Sequence, residues 1–101
     1  MESTNILKWI QDWYLSKCNG DWEHSYGVKI DTVDNPGWYI TIDLNETELE
    51  SFEYDSGLVE TDTSDWHFYH FKDSKYEASG DPNKLDFLLT KFKELVEQQK
   101  K

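Results

Sequence analysis

Apolar residues at Ile6, Trp9, Ile10, Trp13 and Tyr14 recur at three- and four-residue intervals. That spacing places them on one face of a helix running from Thr4 to Asn19, with Leu15 off the stripe. Thr4 or Asn5 can cap its start, and Gly20 stands where a left-handed residue closes a helix. Residues 21–27 form a polar and aromatic connection. At Val28 the period changes to two. Val28, Ile30 and Thr32 alternate with Lys29 and Asp31, the pattern of a half-buried strand from Val28 to Val33. Asp34-Asn35-Pro36-Gly37 predicts a type II turn, with Pro36 at its second position and Gly37 supplying a positive φ at its third. The chain then returns from Trp38 to Leu44 with Trp38, Ile40, Ile42 and Leu44 on one side. The two strands make a β-hairpin.

Residues 45–65 are the least regular. Leu49, Phe52, Tyr54 and Leu58 are spaced for one short strand and a loop. An aromatic run from Trp66 to Phe71 predicts a strand, Asp73-Ser74 a turn, and Lys75 to Ala78 a short return strand. Asp81 caps a second helix over 82–98, with Pro82 at its first position, where a missing N–H costs nothing. Leu85, Leu88, Leu89, Phe92, Leu95 and Val96 form its buried stripe, and Phe87 lies on the opposite side. The closing Gln98-Gln99-Lys100-Lys101 frays, its lysines complementing the helix C-terminus. Helix, antiparallel strands, helix is the order of an α+β fold: an antiparallel β-sheet with N- and C-terminal helices packed on one face. No repeat or linker divides the chain, so residues 1–101 are expected to form one domain.

Composition changes the picture in two ways. Five Trp, six Tyr and five Phe offset a hydrophobic content of only 37%, because each ring buries about 150–250 Å². A domain this small hides roughly two-thirds of its unfolded surface, so some of those rings must reach solvent. Charge matters more. The chain has 21 Asp and Glu against 10 Lys, has no Arg, and carries a net charge of −11. Direct nucleic-acid binding needs basic patches for phosphates and is disfavoured, as is an anionic membrane; a basic protein partner fits. One cysteine, Cys18, permits no internal disulfide and suits a reducing compartment. No signal-peptide pattern or membrane-length apolar stretch is present. A cytoplasmic location is expected.

The motifs of common catalysts are missing. There is no glycine-rich nucleotide loop. His67 and His70, three apart in a strand, point to opposite faces and would share a metal only if that strand were bulged. Glu23-His24 has no nucleophile beside it, and Cys18 sits near a helix C-terminus, whose dipole disfavours a thiolate. No catalytic residue, metal site or cofactor is expected. What remains is the charge distribution. No Lys or Arg occurs between Lys29 and Lys72, an interval holding Asp31, Asp34, Asp43, Glu46, Glu48, Glu50, Glu53, Asp55, Glu60, Asp62 and Asp65. Complementary charge speeds association and rejects wrong partners. Within this interval Glu46, Glu48, Glu50, Glu53 and Asp55, interleaved with Phe52 and Tyr54 as anchors, are the expected partner-binding residues.

Several segments also carry a resemblance. Trp9–Tyr14, Cys18-Asn19-Gly20-Asp21-Trp22-Glu23-His24, Tyr26-Gly27-Val28-Lys29-Ile30, Asp34-Asn35-Pro36-Gly37-Trp38, Ile42-Asp43-Leu44 and the Gly80-Asp81-Pro82 helix start with Leu85 resemble the immunity protein 53 family of bacterial polymorphic toxin systems. The likeness spans nearly the whole chain and is most specific from Trp22 to Trp38. It implies a non-enzymatic protein that binds and neutralises a cognate toxin domain, and it carries over no toxin-contacting residue. A basic toxin, such as a nuclease, would match the acidic interval. The alternative is a small ligand-binding or catalytic domain built on the aromatic cluster of Trp22, His24 and Trp38.

Overall fold

The computed structural model describes residues 5–99. Helix α1 (Ile6–Lys17) is capped by Asn5, whose side chain accepts from the Lys8 N–H at 3.1 Å; Thr4 lies outside the described residues. The helix stops two residues earlier than expected. Gly20 takes the left-handed φ of +90°, and the connection after it is a short helix, α2 (Trp22–Ser25), where an irregular link was expected. Its start is built locally. Asn19 Oδ1 accepts from the N–H groups of Asp21 and Trp22, and the Glu23 carboxylate accepts from those of Asn19 and Gly20.

Six strands follow: β1 (Val28–Val33), β2 (Gly37–Asp43), β3 (Tyr54–Asp55), β4 (Val59–Asp62), β5 (Asp65–Lys72) and β6 (Lys75–Gly80), before helix α3 (Leu85–Gln99). They form one antiparallel sheet in the order β1-β2-β6-β5-β3, with β4 also paired to β5. The α+β class with both helices on one face holds. The supposedly short return strand is instead the middle of the sheet: β6 pairs six residues with β2 and six with β5. The irregular interval yields two edge strands, not one.

Register assigns the faces, because side chains of paired residues project to the same side. Ile40, Ala78 and Tyr69 form one inward row, and Ile42, Tyr76 and Phe71 the next. The helices pack on these rows. Phe92 of α3 lies 5.1 Å from the rings of both Trp13 and Tyr76 and 6.0 Å from Trp9 and Phe71. Two buried rings have their polar tips tied to carbonyl groups: Trp22 Nε1 donates to Asn45 O at 2.8 Å, and Tyr76 Oη to Leu88 O at 2.7 Å. Trp22, expected in a connection, is 2% exposed and part of the core. β1 departs the other way. It is an edge strand lying largely outside the helical layer, and Ile30 stays 41% exposed. Phe87 is half-buried, not outward, and packs 4.6 Å from His67.

Two turns depend on side-chain or backbone detail. Asp73 and Ser74 both adopt positive φ in the two-residue β5–β6 hairpin, as a type I′ connection requires. The β1–β2 turn is not type II: the Asn35–Pro36 bond is cis and Gly37 has no left-handed φ. Gly37 is needed for space. A Cβ there would lie 2.3 Å from the Gly80 carbonyl oxygen and 3.3 Å from the Trp66 ring.

Helix α3 begins at Leu85, three residues later than expected, and the Lys84 carbonyl accepts its first bond from Leu88. Asp81 heads the turn before it and is fully buried. Its carboxylate accepts from the N–H groups of Trp66 at 2.9 Å and Asn83 at 2.8 Å and from the Lys84 ammonium. Lys84 also reaches Asp65 at 2.6 Å. Burial by itself would push the Asp81 carboxyl up, but Lys84 and the two N–H donors outweigh it and hold it down at about 2. The helix runs to Gln99; Lys100 and Lys101 lie outside the described residues.

Gly37→Ala should lower stability by about 1–3 kcal/mol through overpacking against Gly80. A denaturation midpoint equal to wild type would contradict this. Asp81 is ionised at lower pH when folded than its unfolded value of about 4. The stability it contributes is therefore complete above about pH 4 and is lost as pH falls toward 2. Asp81→Asn should cost about 1–3 kcal/mol at neutral pH, and denaturation midpoints measured from pH 6 to 2 should fall less steeply for the variant than for wild type.

Candidate partner-binding surface

The expected contact residues cluster at one end of the sheet, although not all are free. Thr47 begins a turn by accepting from the Leu49 N–H, and Leu49 is fully buried. This plug fixes the loop and leaves alternate carboxylates outward. Glu46 is exposed, with a φ of +63°. Glu50 and Glu53 are exposed. Glu48 is engaged by Lys17 of α1 at 2.8 Å. Phe52 is half-buried with its ring 5.0 Å from Phe71, so it anchors the loop to the core. Tyr54 stacks on Tyr69 at 5.9 Å and keeps 45% of its surface exposed. The Asp55 carboxylate caps the Gly57 N–H at 2.8 Å. A shallow recess of about 330 Å³ joins Glu53, Tyr54 and Asp55 to His70, Phe71 and Lys72 of β5.

Beyond that recess lies a surface that the linear reading missed. The sheet has a second face, opposite the helices, carrying Tyr39 and Thr41 of β2, Glu77 and Ser79 of β6, and Trp66, Phe68 and His70 of β5. A polar chain crosses its centre. Tyr39 Oη donates to Glu77 Oε2 at 2.6 Å, and His70 Nε2 lies 2.9 Å from Glu77 Oε1. The hydrogen bond to Glu77, aided by burial, raises the Tyr39 phenol to about 12. Hydrogen bonds from Tyr39 and His70 lower the Glu77 carboxyl. The chain holds a carboxylate, a neutral phenol and an imidazole in fixed geometry, without a nucleophile in it.

Membership is decided by a family model. The model described as Immunity protein 53 matches residues 7–97. The chain belongs to the Immunity protein 53 family. No curated protein and no solved structure gives a significant match. An immunity family implies a toxin as partner and a role without catalysis.

The geometry bears on the alternative too. Trp22, His24 and Trp38 do not converge. The Trp22 indole is tied to Asn45 beyond one end of β2, and Trp38, at the strand's other end, donates to Pro82 O at 2.9 Å. His24 is exposed. His67 and His70 point to opposite faces, as their spacing predicts. His67 stacks with Tyr69 and Phe87 on the helical side, where burial, assisted by the positive charge of Lys84, lowers its pKa. Among the described residues, no group of three or more His, Cys, Asp or Glu is placed to hold a metal, and no helix is long and apolar enough to cross a membrane.

Cys18 occupies the C-cap of α1, half-buried, with Sγ 3.4 Å from Tyr14 O. A hydroxyl can make the same bond. Cys18→Ser should therefore shift stability by no more than about 1 kcal/mol, read as the thermal midpoint. A larger loss would show that the sulfur fills a packing role.

Proposed function

We propose that this chain neutralises a cognate bacterial toxin domain in the cytoplasm by covering a basic functional surface with its own acidic one. Family membership over residues 7–97 carries this reading. A net charge of −11 and the lysine-free interval from Ile30 to Phe71 support it. A toxin that acts on nucleic acid, such as a nuclease, needs a positive cleft for phosphates. An inhibitor seated there gains from carboxylates that the cleft already attracts.

Within the acidic surface, Glu46, Glu48, Glu50, Glu53 and Asp55 are the contact set, with Tyr54 as the exposed aromatic anchor. The arrangement modifies their roles. Glu48 meets the partner as a half-neutralised pair with Lys17. Phe52 acts from beneath by fixing the loop on Phe71. Rim carboxylates contribute mainly to the rate of association, and the anchor to the lifetime of the complex.

The test uses the toxin domain encoded beside this chain's gene. Replacing Glu46, Glu50 and Glu53 together with Gln should slow association about tenfold at low salt and flatten its salt dependence, while stability stays within about 0.5 kcal/mol of wild type. An unchanged rate and salt slope would make the loop a solvated face. No binding of the wild-type chain, and no protection of cells expressing the toxin domain, would remove the immunity reading itself.

A further inference from the structure

The open face of the sheet has a shape as well as a composition. Pairing puts Asp31, Tyr39, Ser79 and Phe68 in one row across it, and Trp66 beside Glu60 in the next. Gly37 is buried, and a Cβ there would stand 3.3 Å from the Trp66 ring, so that ring lies over Gly37. A groove of about 530 Å³ runs along this side, lined by Asn35, Leu58, Glu60, Thr63, Trp66 and Phe68. Leu58 is 65% exposed, and both rings are half-buried with no helix above them. Glu60 lines the groove, and exposed Asp34 and Asp62 each stand one residue from a lining position. Lys29, Lys72 and Lys75 lie toward the other end of the strands. Lys84, which reaches the start of β5, is held by Asp65 and Asp81.

We infer that this groove is the principal anchor site for the basic protein partner, taking a lysine or arginine side chain over the Trp66 and Phe68 rings with Glu60 as its counter-charge. The inference rests on the toxin-binding reading and adds to its acidic loop a second contact surface. Aromatic faces attract cations, most strongly for Trp, and Trp is among the residues most enriched at binding hot spots. Charge complementarity selects the occupant. A nucleic acid would be repelled by the same carboxylates, and a second copy of this chain brings another −11 to the same surface. A basic surface gains from both layers, the apolar floor and the acidic rim. β4 and β3 lie along the same edge of β5, so the groove and the acidic loop can be covered by one partner.

Titration of the full chain with the toxin domain encoded beside its gene tests the assignment by two readouts. In an NMR titration, the indole N–H signal of Trp66 should shift on binding. Leu58→Lys and Glu60→Lys change exposed side chains and preserve the fold, and each should weaken binding about tenfold or more. Trp66→Ala should weaken it further by speeding dissociation. Leu15→Ala, on the outer face of α1 and 65% exposed, should bind like wild type. If wild type binds tightly while Leu58→Lys and Glu60→Lys stay within twofold of it and the Trp66 signal does not move, the groove assignment is wrong and the immunity reading stands. If wild type does not bind, both fall. A concentration-dependent dimer that is lost in Leu58→Lys would assign the groove to a second copy and overturn the proposal.

Discussion

The ring of Phe92 holds this structure together. It projects from α3 into a cage formed by Trp9 and Trp13 of α1, Phe71 of β5 and Tyr76 of β6. Through that one side chain α1, α3, β5 and β6 share a packing site. A chain with so few aliphatic residues has limited means of joining two layers, and interlocking aromatic rings supply area and directional edge-to-face contact together. The buried Asp81 carboxylate complements this packing. It joins the start of β5 to the turn that launches α3, so the helix enters at the height that delivers Phe92 to its cage.

Binding follows from the same economy. Two helices cover one face of a six-stranded sheet, and nothing among the described residues covers the other. An uncovered face in a chain this acidic presents carboxylates around a floor of rings, with the Tyr39–Glu77–His70 chain stiffening its centre. A surface already ordered before contact loses little conformational freedom on binding. The loop from Glu46 to Asp55 is similarly prepared, with Leu49 and Phe52 sunk beneath its charges.

Much of this was legible in the sequence, and the omissions have physical causes. Period 3.6 located both long helices, and period 2 located β1 and β2, because each buries one face. The central position of β6 was hidden: pairing across a sheet leaves no mark in a strand as short as Lys75–Gly80. Gly37 was correctly read as special for the wrong reason, since its constraint comes from Gly80, a residue 43 positions away (80 − 37) that is near only after folding. The start of α3 was misplaced because Asp81 has two duties, and the bond to Trp66 cannot be seen locally. In the binding surface, the charge was plain, but the pairing of Glu48 with Lys17 depends on tertiary structure. β5 posed a sharper ambiguity. Trp66, Phe68 and His70 alternate with His67, Tyr69 and Phe71, so both faces read as aromatic and periodicity alone could not say which one met the helices.

That alternation separates two kinds of change along a single strand. Phe68 and Tyr69 are chemical neighbours, yet one faces the open groove and the other the helical layer. A substitution at Phe68 or Trp66 redraws the outer surface while its inward neighbours keep their register and packing. Recognition can thus drift without dragging the core along with it. A lineage pursued by changing adversaries can retool one side of the sheet and inherit the other intact.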